Sequence, residues 1–381
     1  QKVIGLRAFD SKKTAGTTPA HEAGQPTHTQ EETMNFNKHG VAAALALLAL
    51  GSAHAGQRAQ LDVQLSFDNA IVQGDSDVPV NVVVTNNTGT VVPVLKWQLP
   101  TGKLQGQLFR VVGDDGQAAA YIGPMIKRAE PREQDYILLQ PGASLSYQVE
   151  LTSQYVLGNG HYTVEYVGGG VFRQGVDFRS TATNLWTQGR SASAESLVGD
   201  ASLRGRTGTQ GISYTGGCST SRQSTLASAV SAATTYAGNA YTYLSGSGSG
   251  TQRYVKWFGS YTSSRWTTAK SHFSAIKSAF TTQNVTLDCS CTDTGTYAYV
   301  YPTQPYKIYV CGAFWNAPMT GTDSKGGTLV HEMSHFNVVA STDDWAYGQT
   351  AAANLAKSNP TKALDNADNH EYFAENNPAL P

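Results

Sequence analysis

Two kinds of hydrophobic periodicity divide this chain. Between residues 57 and 184, apolar and polar residues alternate, as in Leu61–Phe67 and Val78–Val84, and this period is typical of half-buried strands. Turn formers such as Pro141 and Gly142 separate the segments. Short strands at this spacing predict an all-β, antiparallel, sandwich-like domain over residues 56–184. The other predicted strands are 91–97, 108–112, 136–139, 145–151 and 162–167.

Beyond residue 213 the period becomes helical. The segment TSRQ at 220–223 has the form of a capping box, and apolar residues follow at helical spacing from Leu226 to Leu244. Residues 254–258 and 266–280 are also predicted as helices. Tyr297–Tyr301 and Lys307–Cys311 predict a hairpin, whose strand could bind a peptide by strand addition. We expect an α+β, mainly helical domain over residues 213–381.

The segments outside the two domains have their own signatures. Residues 1–33 are polar and unpatterned, which predicts no fold and suggests an over-extended or artefactual start. Residues 34–55 show a basic start, an apolar run at 41–50 and an Ala-His-Ala end, which predict a secretory signal peptide cleaved after Ala55. An ordinary buried helix is the alternative. The apolar run is too short for a membrane span.

Residues 185–212 are rich in Ser, Ala, Gly and Thr, and we predict an exposed linker that is cut on activation. The β-domain before it would then be a propeptide that blocks the active site or assists folding. A retained substrate-binding or adhesion module is the alternative. The β-domain shows no His or Cys cluster and no obvious catalytic carboxylate pair, so the sequence predicts no chemistry there.

The motif with the clearest chemistry is GTLVHEMSHF at 327–336. His331 and His335 are four residues apart, so on a helix both imidazoles leave the same face and can fill two corners of a tetrahedral zinc site. Glu332 lies beside them and could accept a proton from an attacking water. This combination predicts a zinc peptidase.

A catalytic zinc has three protein ligands, and spacing alone leaves the third open. The metzincin pattern is excluded because the chain has Ser341 where that pattern needs a histidine. Glu371 or Glu375 on a second helix could supply the ligand, and so could the nearer Asp343 or Asp344.

At this point the chain resembles the deuterolysin-type metallopeptidases, or aspzincins, and among them the peptidyl-Lys metalloendopeptidases. The matching segments are GTLVHEMSHF, DWAYGQ at 344–349 and NADNHEYFAENNP at 366–378. The resemblance covers about residues 213–381. The resemblance implies a zincin-type fold with His331, His335 and Asp344 as zinc ligands. It also implies that Glu332 is the general base and that Tyr347 donates a hydrogen bond to the oxyanion.

Two carboxylates in the segment 366–378 are candidates for determining substrate specificity. Asp368 and Glu371 are three residues apart and could share one helical face, where they would attract an ammonium group. A solvated acidic helix end is the alternative. The resemblance favours a pocket for a lysine on the carboxyl-terminal side of the cut.

Activation is harder to explain from the sequence. No lysine occurs between Lys127 and Lys256, so a lysine-specific enzyme could not cut its own linker before a lysine. Another protease would be needed, or a looser specificity that accepts Arg190, Arg204 or Arg206.

Four cysteines lie in the C-terminal region. An even count in a secreted chain favours two disulfides, and a one-residue gap disfavours a bridge between Cys289 and Cys291. A four-cysteine zinc site has the wrong spacing. The resemblance implies the pairs Cys218–Cys289 and Cys291–Cys311.

The chain carries 27 basic and 28 acidic residues, which argues against nucleic acid or an anionic membrane as the main partner. We expect a monomer that binds one zinc ion and takes protein or peptide substrates, with the propeptide as an intramolecular inhibitor. The alternatives are a secreted metalloprotease of broad specificity and a non-catalytic, zinc-stabilised adhesin or binding protein. A binding protein would need the metal ligands but neither a general base nor an oxyanion donor.

Overall fold

The computed structural model describes residues 61–101, 104–168, 179–191 and 211–381. The predicted extension at 1–33, the predicted signal peptide at 34–55 and residues 192–210 of the predicted linker lie outside the described residues. Within the described ranges, no helix has both the length and the apolar character needed to cross a membrane.

The N-terminal half is rich in β-structure. Its strands are β1 (Asp62–Phe67), β2 (Ile71–Gln73), β3 (Pro79–Thr85), β4 (Val92–Leu95), β5 (Phe109–Gly113), β6 (Met125–Arg128), β7 (Tyr136–Leu139), β8 (Ser144–Glu150), β9 (Gly160–Tyr166) and β10 (Thr183–Gln188). They form sheets in the orders β1-β3-β8, β2-β10-β9-β5 and β4-β7. Every predicted strand is present, since alternate residues such as Val80, Val82 and Val84 are buried in the core.

A strand crosses the position at which the sequence predicts the boundary between the β-domain and the linker. Strand β10 extends to Gln188 and pairs with β9 and β2, because Leu185 and Thr187 point into the core. Arg190, which the sequence suggested as an accessible cleavage site, donates hydrogen bonds from its guanidinium to the carbonyl oxygens of Gly74 and Ser76.

The C-terminal half is mainly helical. Its strands are β11 (Gly211–Thr215), β12 (Asn284–Asp288), β13 (Thr296–Val300) and β14 (Lys307–Val310). Its helices are α1 (Thr220–Leu244), α2 (Gln252–Phe258), α3 (Ser263–Thr282), α4 (Gly312–Asn316), α5 (Lys325–His335), α6 (Gln349–Ser358), α7 (Pro360–Leu364) and α8 (Ala367–Glu375). The predicted helices and the β13–β14 hairpin are confirmed. Strand β11 begins two residues before the predicted boundary at 213 and pairs in parallel with β12.

One strand of the N-terminal half belongs to the sheet of the C-terminal half. The five-stranded sheet has the order β11-β12-β14-β13-β6, and β6 is its edge strand. Strand β6 pairs antiparallel with β13, with Ile126 opposite Tyr299 and Lys127 opposite Ala298. The edge of β13, predicted to bind a peptide, is therefore covered by the chain's own strand.

Helix α5, which carries the two histidines, is buried along its whole length. It packs against α1 and α8. The hydroxyl of Ser324 caps its first turn by accepting a hydrogen bond from the Gly327 amide at 2.9 Å. Glu375 of α8 in turn accepts from the Ser324 amide at 2.8 Å. Gly327 permits this approach, since a side chain there would collide with the Glu375 carboxylate.

Both predicted disulfides are present. Cys218 is joined to Cys289 and Cys291 to Cys311, so the adjacent strand ends of the C-terminal sheet are linked to the segments that lead into α1 and α4. Within the described residues no cysteine is free.

Candidate active site

Three side chains from two segments converge at the end of α5. His331 and His335 lie on one face of the helix, and Asp344 lies on the loop that follows it. The Asp344 Oδ1 atom is 3.2 Å from the His331 Nε2 atom and 3.5 Å from the His335 Nε2 atom. The three ligand atoms lie close enough to bind one metal ion.

The chemistry of these atoms fits zinc. Both Nε2 atoms and both Asp344 carboxylate oxygens are buried without a hydrogen bond of acceptable geometry to any described residue. Buried polar atoms without partners are costly, and a cation would satisfy all of them. The His335 Nδ1 atom donates to the carbonyl oxygen of Thr342 at 2.7 Å, which leaves its Nε2 lone pair for a metal. Two imidazole nitrogens and one carboxylate oxygen with an open fourth position match a catalytic zinc site.

The loop that carries Asp344 is held by an asparagine that the sequence analysis gave no role. The side-chain oxygen of Asn366 accepts hydrogen bonds from the backbone amides of Trp345 and Ala346 at 2.8 and 3.0 Å. Asp343, the alternative ligand, lies outside the metal group, and its backbone bonds to Asp365 and Ala367. A polar side chain that clamps a loop has no sequence signature of its own.

Glu332 is fully buried beside the metal group. Both of its carboxylate oxygens lack a hydrogen-bond partner among the described residues. Burial raises the pKa of Glu332 to about 8, and the positive charge of His331 opposes that increase. A carboxylate with a pKa near neutrality can both accept and return a proton, as a general base must.

Tyr347 lies three residues after Asp344 and is buried. Its hydroxyl donates a hydrogen bond at 2.9 Å to the carbonyl oxygen of Ile126, on β6. Its ring meets Trp97 edge-on, with the ring centroids 6.2 Å apart. The hydroxyl therefore already binds a peptide carbonyl next to the candidate metal group.

The two carboxylates of α8 line a sealed pocket rather than a solvated helix end. Asp368 and Glu371 are fully buried, and the Lys127 ammonium of β6 lies between them. The Lys127 Nζ atom is 2.6 Å from the Glu371 Oε2 atom and 3.4 Å from the Asp368 Oδ1 atom. A third carboxylate, that of Asp323, lies 3.5 Å from the Lys127 Nζ atom and was not predicted.

The carboxylates of this pocket stabilise the charge of the Lys127 ammonium. Burial by itself would lower the pKa of Lys127, but Asp368, Glu371 and Asp323 together raise it well above its usual value. Asp368 and Glu371 also lie 2.8 and 3.4 Å from the His331 Nδ1 atom, so both carboxylates contact the lysine and a candidate metal ligand. These three residues form a second group of possible metal-ligand atoms, which the Lys127 ammonium contacts. Glu375, the other candidate for a third ligand, contacts Ser324.

Comparison with known proteins agrees with this geometry. The profile of the lysine-specific metallo-endopeptidase family, the aspzincins, matches residues 243–375. An extracellular protease of Aeromonas hydrophila is 44% identical over 331 residues, which are 84% of this chain and 93% of that protein. This chain belongs to the aspzincin family.

Two further matches each cover less than half of this chain. A peptidyl-Lys metalloendopeptidase of Pleurotus ostreatus is 57% identical over 164 residues, which are 43% of this chain and 97% of that protein. The solved structure of a zinc peptidase from Grifola frondosa is 53% identical and covers 43% of this chain and 100% of its own, with a TM-score of 0.42. This aspzincin is a zinc metalloendopeptidase.

The N-terminal half of this aspzincin places residues beside the candidate site, and the sequence analysis did not predict these contacts. Besides Lys127, the buried Arg128 guanidinium donates to the Gln105 Oε1 atom at 2.8 Å and lies 5.1 Å from the Trp97 ring centroid. Met125–Arg128 lacks the alternating pattern of a half-buried strand, and its partners lie more than 160 residues away. The local sequence therefore predicts neither the strand β6 nor its pairing with β13.

Proposed function

We propose that this aspzincin is a secreted endopeptidase that cuts on the amino side of lysine and is made as an inactive precursor. The main support for this proposal is the position of Lys127. Its ammonium fills the acidic pocket, and its strand covers the edge of β13. A peptide bound by strand addition with a lysine in this pocket would occupy the same space. We infer that the sandwich-like N-terminal domain inhibits the enzyme by occupying the substrate site.

Other observations support parts of this proposal. The name of the Aeromonas hydrophila relative, extracellular protease, agrees with the secretory signal predicted at 34–55. The Pleurotus ostreatus relative matches 43% of this chain over 97% of its own length, as expected if an active form lacks the N-terminal half. The prodomain would include β10, and the catalytic domain would begin by residue 211.

The proposed mechanism assigns His331, His335 and Asp344 as the zinc ligands. When bound there, zinc supplies a Lewis acid that activates water and polarises the peptide carbonyl. Glu332 accepts the proton of the attacking water and then delivers it to the departing amine. Tyr347 donates to the carbonyl oxygen as negative charge develops on it, and Asp368 holds the ring of His331 in place.

Specificity follows from the charge of the pocket. Glu371 and Asp368 offer two buried carboxylates to one ammonium, and a neutral side chain would leave them without a counter-charge. Replacing Glu371 by Gln keeps the volume but removes the shorter of the two contacts. A hydrogen bond to a charged group contributes about 1.5–3 kcal/mol, so kcat/KM for lysine peptides should fall roughly 10- to 150-fold.

The test is mass spectrometry of peptides that the full chain, activated by limited trypsin digestion, releases from a mixed protein substrate. Cuts before lysine are expected for the native chain, and the preference should weaken in Glu371→Gln. Glu375→Gln is the matched control, one turn along the same helix, where the carboxylate contacts Ser324 instead of Lys127. Cuts scattered over many residue types would contradict the lysine pocket and favour a protease of broad specificity.

A further inference from the structure

The peptide bond between Ile126 and Lys127 is held from both sides by groups of the proposed catalytic site. On its carbonyl side, the Tyr347 hydroxyl donates to the Ile126 oxygen at 2.9 Å. On its amino side, the Lys127 ammonium is 2.6 Å from the Glu371 carboxylate. The oxyanion donor and the specificity pocket thus act on the same bond.

The backbone around this bond pairs with the edge of β13, as a peptide bound by strand addition would. Met125 and Ile126 pair regularly with Val300 and Tyr299 on the edge of β13, and Lys127 faces Ala298. Beyond Lys127 the pairing shifts by one residue. The regular pairing therefore holds the backbone of Met125 and Ile126, on the carbonyl side of the bond. Holding a reacting group in place in this way lowers the barrier to its reaction.

The proposed base is also available. Glu332 is buried, its carboxylate oxygens have no hydrogen-bond partner among the described residues, and the adjacent candidate ligands His331 and Asp344 place the metal site beside it. The proposed oxyanion donor and the acidic pocket therefore hold this bond in the way that they would hold the bond to be cut in a substrate.

We propose that the precursor cuts itself between Ile126 and Lys127, which rests on the function proposed above. The water oxygen bonds to the carbonyl carbon of Ile126 while Glu332 takes one water proton. The carbon–nitrogen bond then breaks, and the proton passes to the nitrogen of Lys127. The products are a carboxylate at Ile126 and a new amino terminus at Lys127, and no reactant besides water is consumed.

This cut accounts for the position of the lysines in the sequence. Lys127 is the last lysine before Lys256, so no later segment of the N-terminal half could serve a lysine-specific enzyme. The first cut would leave both product ends in the cleft, since the sheet pairing holds one end and the acidic pocket holds the other. Cleavage of the segment after β10 would then release the fragments.

The experiment follows the full chain, prepared with a chelator and then supplied with zinc, by mass spectrometry under denaturing conditions. We expect fragments ending at Ile126 and beginning at Lys127, formed at a first-order rate that does not change with protein concentration. In Glu332→Gln, whose melting temperature should match the native chain, the cut should slow by about 100-fold or more. The bond before Lys96 is the internal control, because that lysine is exposed and its ammonium donates to the backbone oxygen of Gln134 and not to the acidic pocket.

The possible results separate the two proposals. An intact Ile126–Lys127 bond in a chain that, once activated, cuts peptides before lysine would overturn self-cleavage and leave the proposed function standing. Equal cutting in Glu332→Gln would identify a contaminating protease, and concentration-dependent cutting that includes the Lys96 bond would identify cleavage between molecules. Either result overturns the inference. A chain that hydrolyses no peptide after activation would remove the proposed function itself.

Discussion

Under the proposed function, the contact between Lys127 and the acidic pocket sets how strongly the N-terminal domain inhibits the enzyme. The Lys127 ammonium is fully buried with Glu371, Asp368 and Asp323 around it. Replacing it by Met preserves most of the volume but leaves buried carboxylates without a counter-charge. Losing one partner of a buried ion pair costs about 3–5 kcal/mol. That cost falls on the docked strand, because the pocket regains water once β6 leaves.

The size of the effect follows from this free energy. At 1.4 kcal/mol for each factor of ten, the population with an open cleft should rise roughly 140- to 3,700-fold in Lys127→Met. The sheet pairing of β6 and the contacts of Arg128 remain, so the precursor should still be mostly closed. The expected result is a precursor that is intact yet hydrolyses a small lysine peptide far faster than the native precursor does.

The assay measures initial rates just after zinc is added, with mass spectrometry to show that the chain is still whole. Lys96→Met is the matched control, since the ammonium of Lys96 is exposed and bonds only to the backbone oxygen of Gln134 among the described residues. It should leave the rate of the precursor unchanged. An initial rate for Lys127→Met within twofold of the native precursor would refute the view that this lysine holds the strand in the cleft.

Three other predictions concern catalysis and stability. Tyr347→Phe should lower kcat roughly 100- to 1,000-fold with unchanged zinc content, because it removes one oxyanion donor; steady-state kinetics and metal analysis check this. Loss of the Cys218–Cys289 bridge, which closes a separation of 71 residues, should cost about 4 kcal/mol in denaturant unfolding. Burial lowers the pKa of His272 to about 4 and that of His370 to about 3, so the unfolded chain binds more protons below about pH 6.5. The free energy of unfolding should therefore fall as pH drops from about 6.5 towards 4. In thermal unfolding, the melting temperature of His272→Phe should depend less steeply on pH than that of the native chain.

The sequence predicts best those parts of the site that lie close together in the chain. His331, Glu332 and His335 share one helical turn and its neighbour, so their spacing determines which face they share once the helix forms. The sequence could select Asp344 over Asp343 as a ligand only through the family resemblance. The two residues are adjacent in one loop, and the direction of each side chain depends on the hydrogen bonds that Asn366 makes to that loop. The structure brings Asp344 to the histidines and directs Asp343 away from them.

The parts that the sequence could not predict depend on long-range pairing. Strand β6 is four residues long, has no alternating pattern and gains its partner only when the two halves of the chain fold together. Asp323 joins the pocket from a loop before α5, and its carboxylate accepts a hydrogen bond from Tyr372 at 2.7 Å. No local periodicity encodes such contacts, because the residues that form them are buried by tertiary structure and not by their own element.

The burial of Lys127 also bears on what the enzyme recognises. A lone ammonium could not be buried at this depth, since removing it from water costs several kcal/mol unless opposite charges compensate. The same holds for Asp368 and Glu371, which face each other's negative charge across the pocket. Each side therefore needs the other, and once the strand leaves, the carboxylates must find either water or another ammonium. Under the proposed function, a substrate lysine would restore the charge balance that Lys127 provides, whereas an uncharged residue would leave two buried carboxylates uncompensated. The inhibitor of this precursor and the preferred substrate of the enzyme should for that reason carry the same side chain.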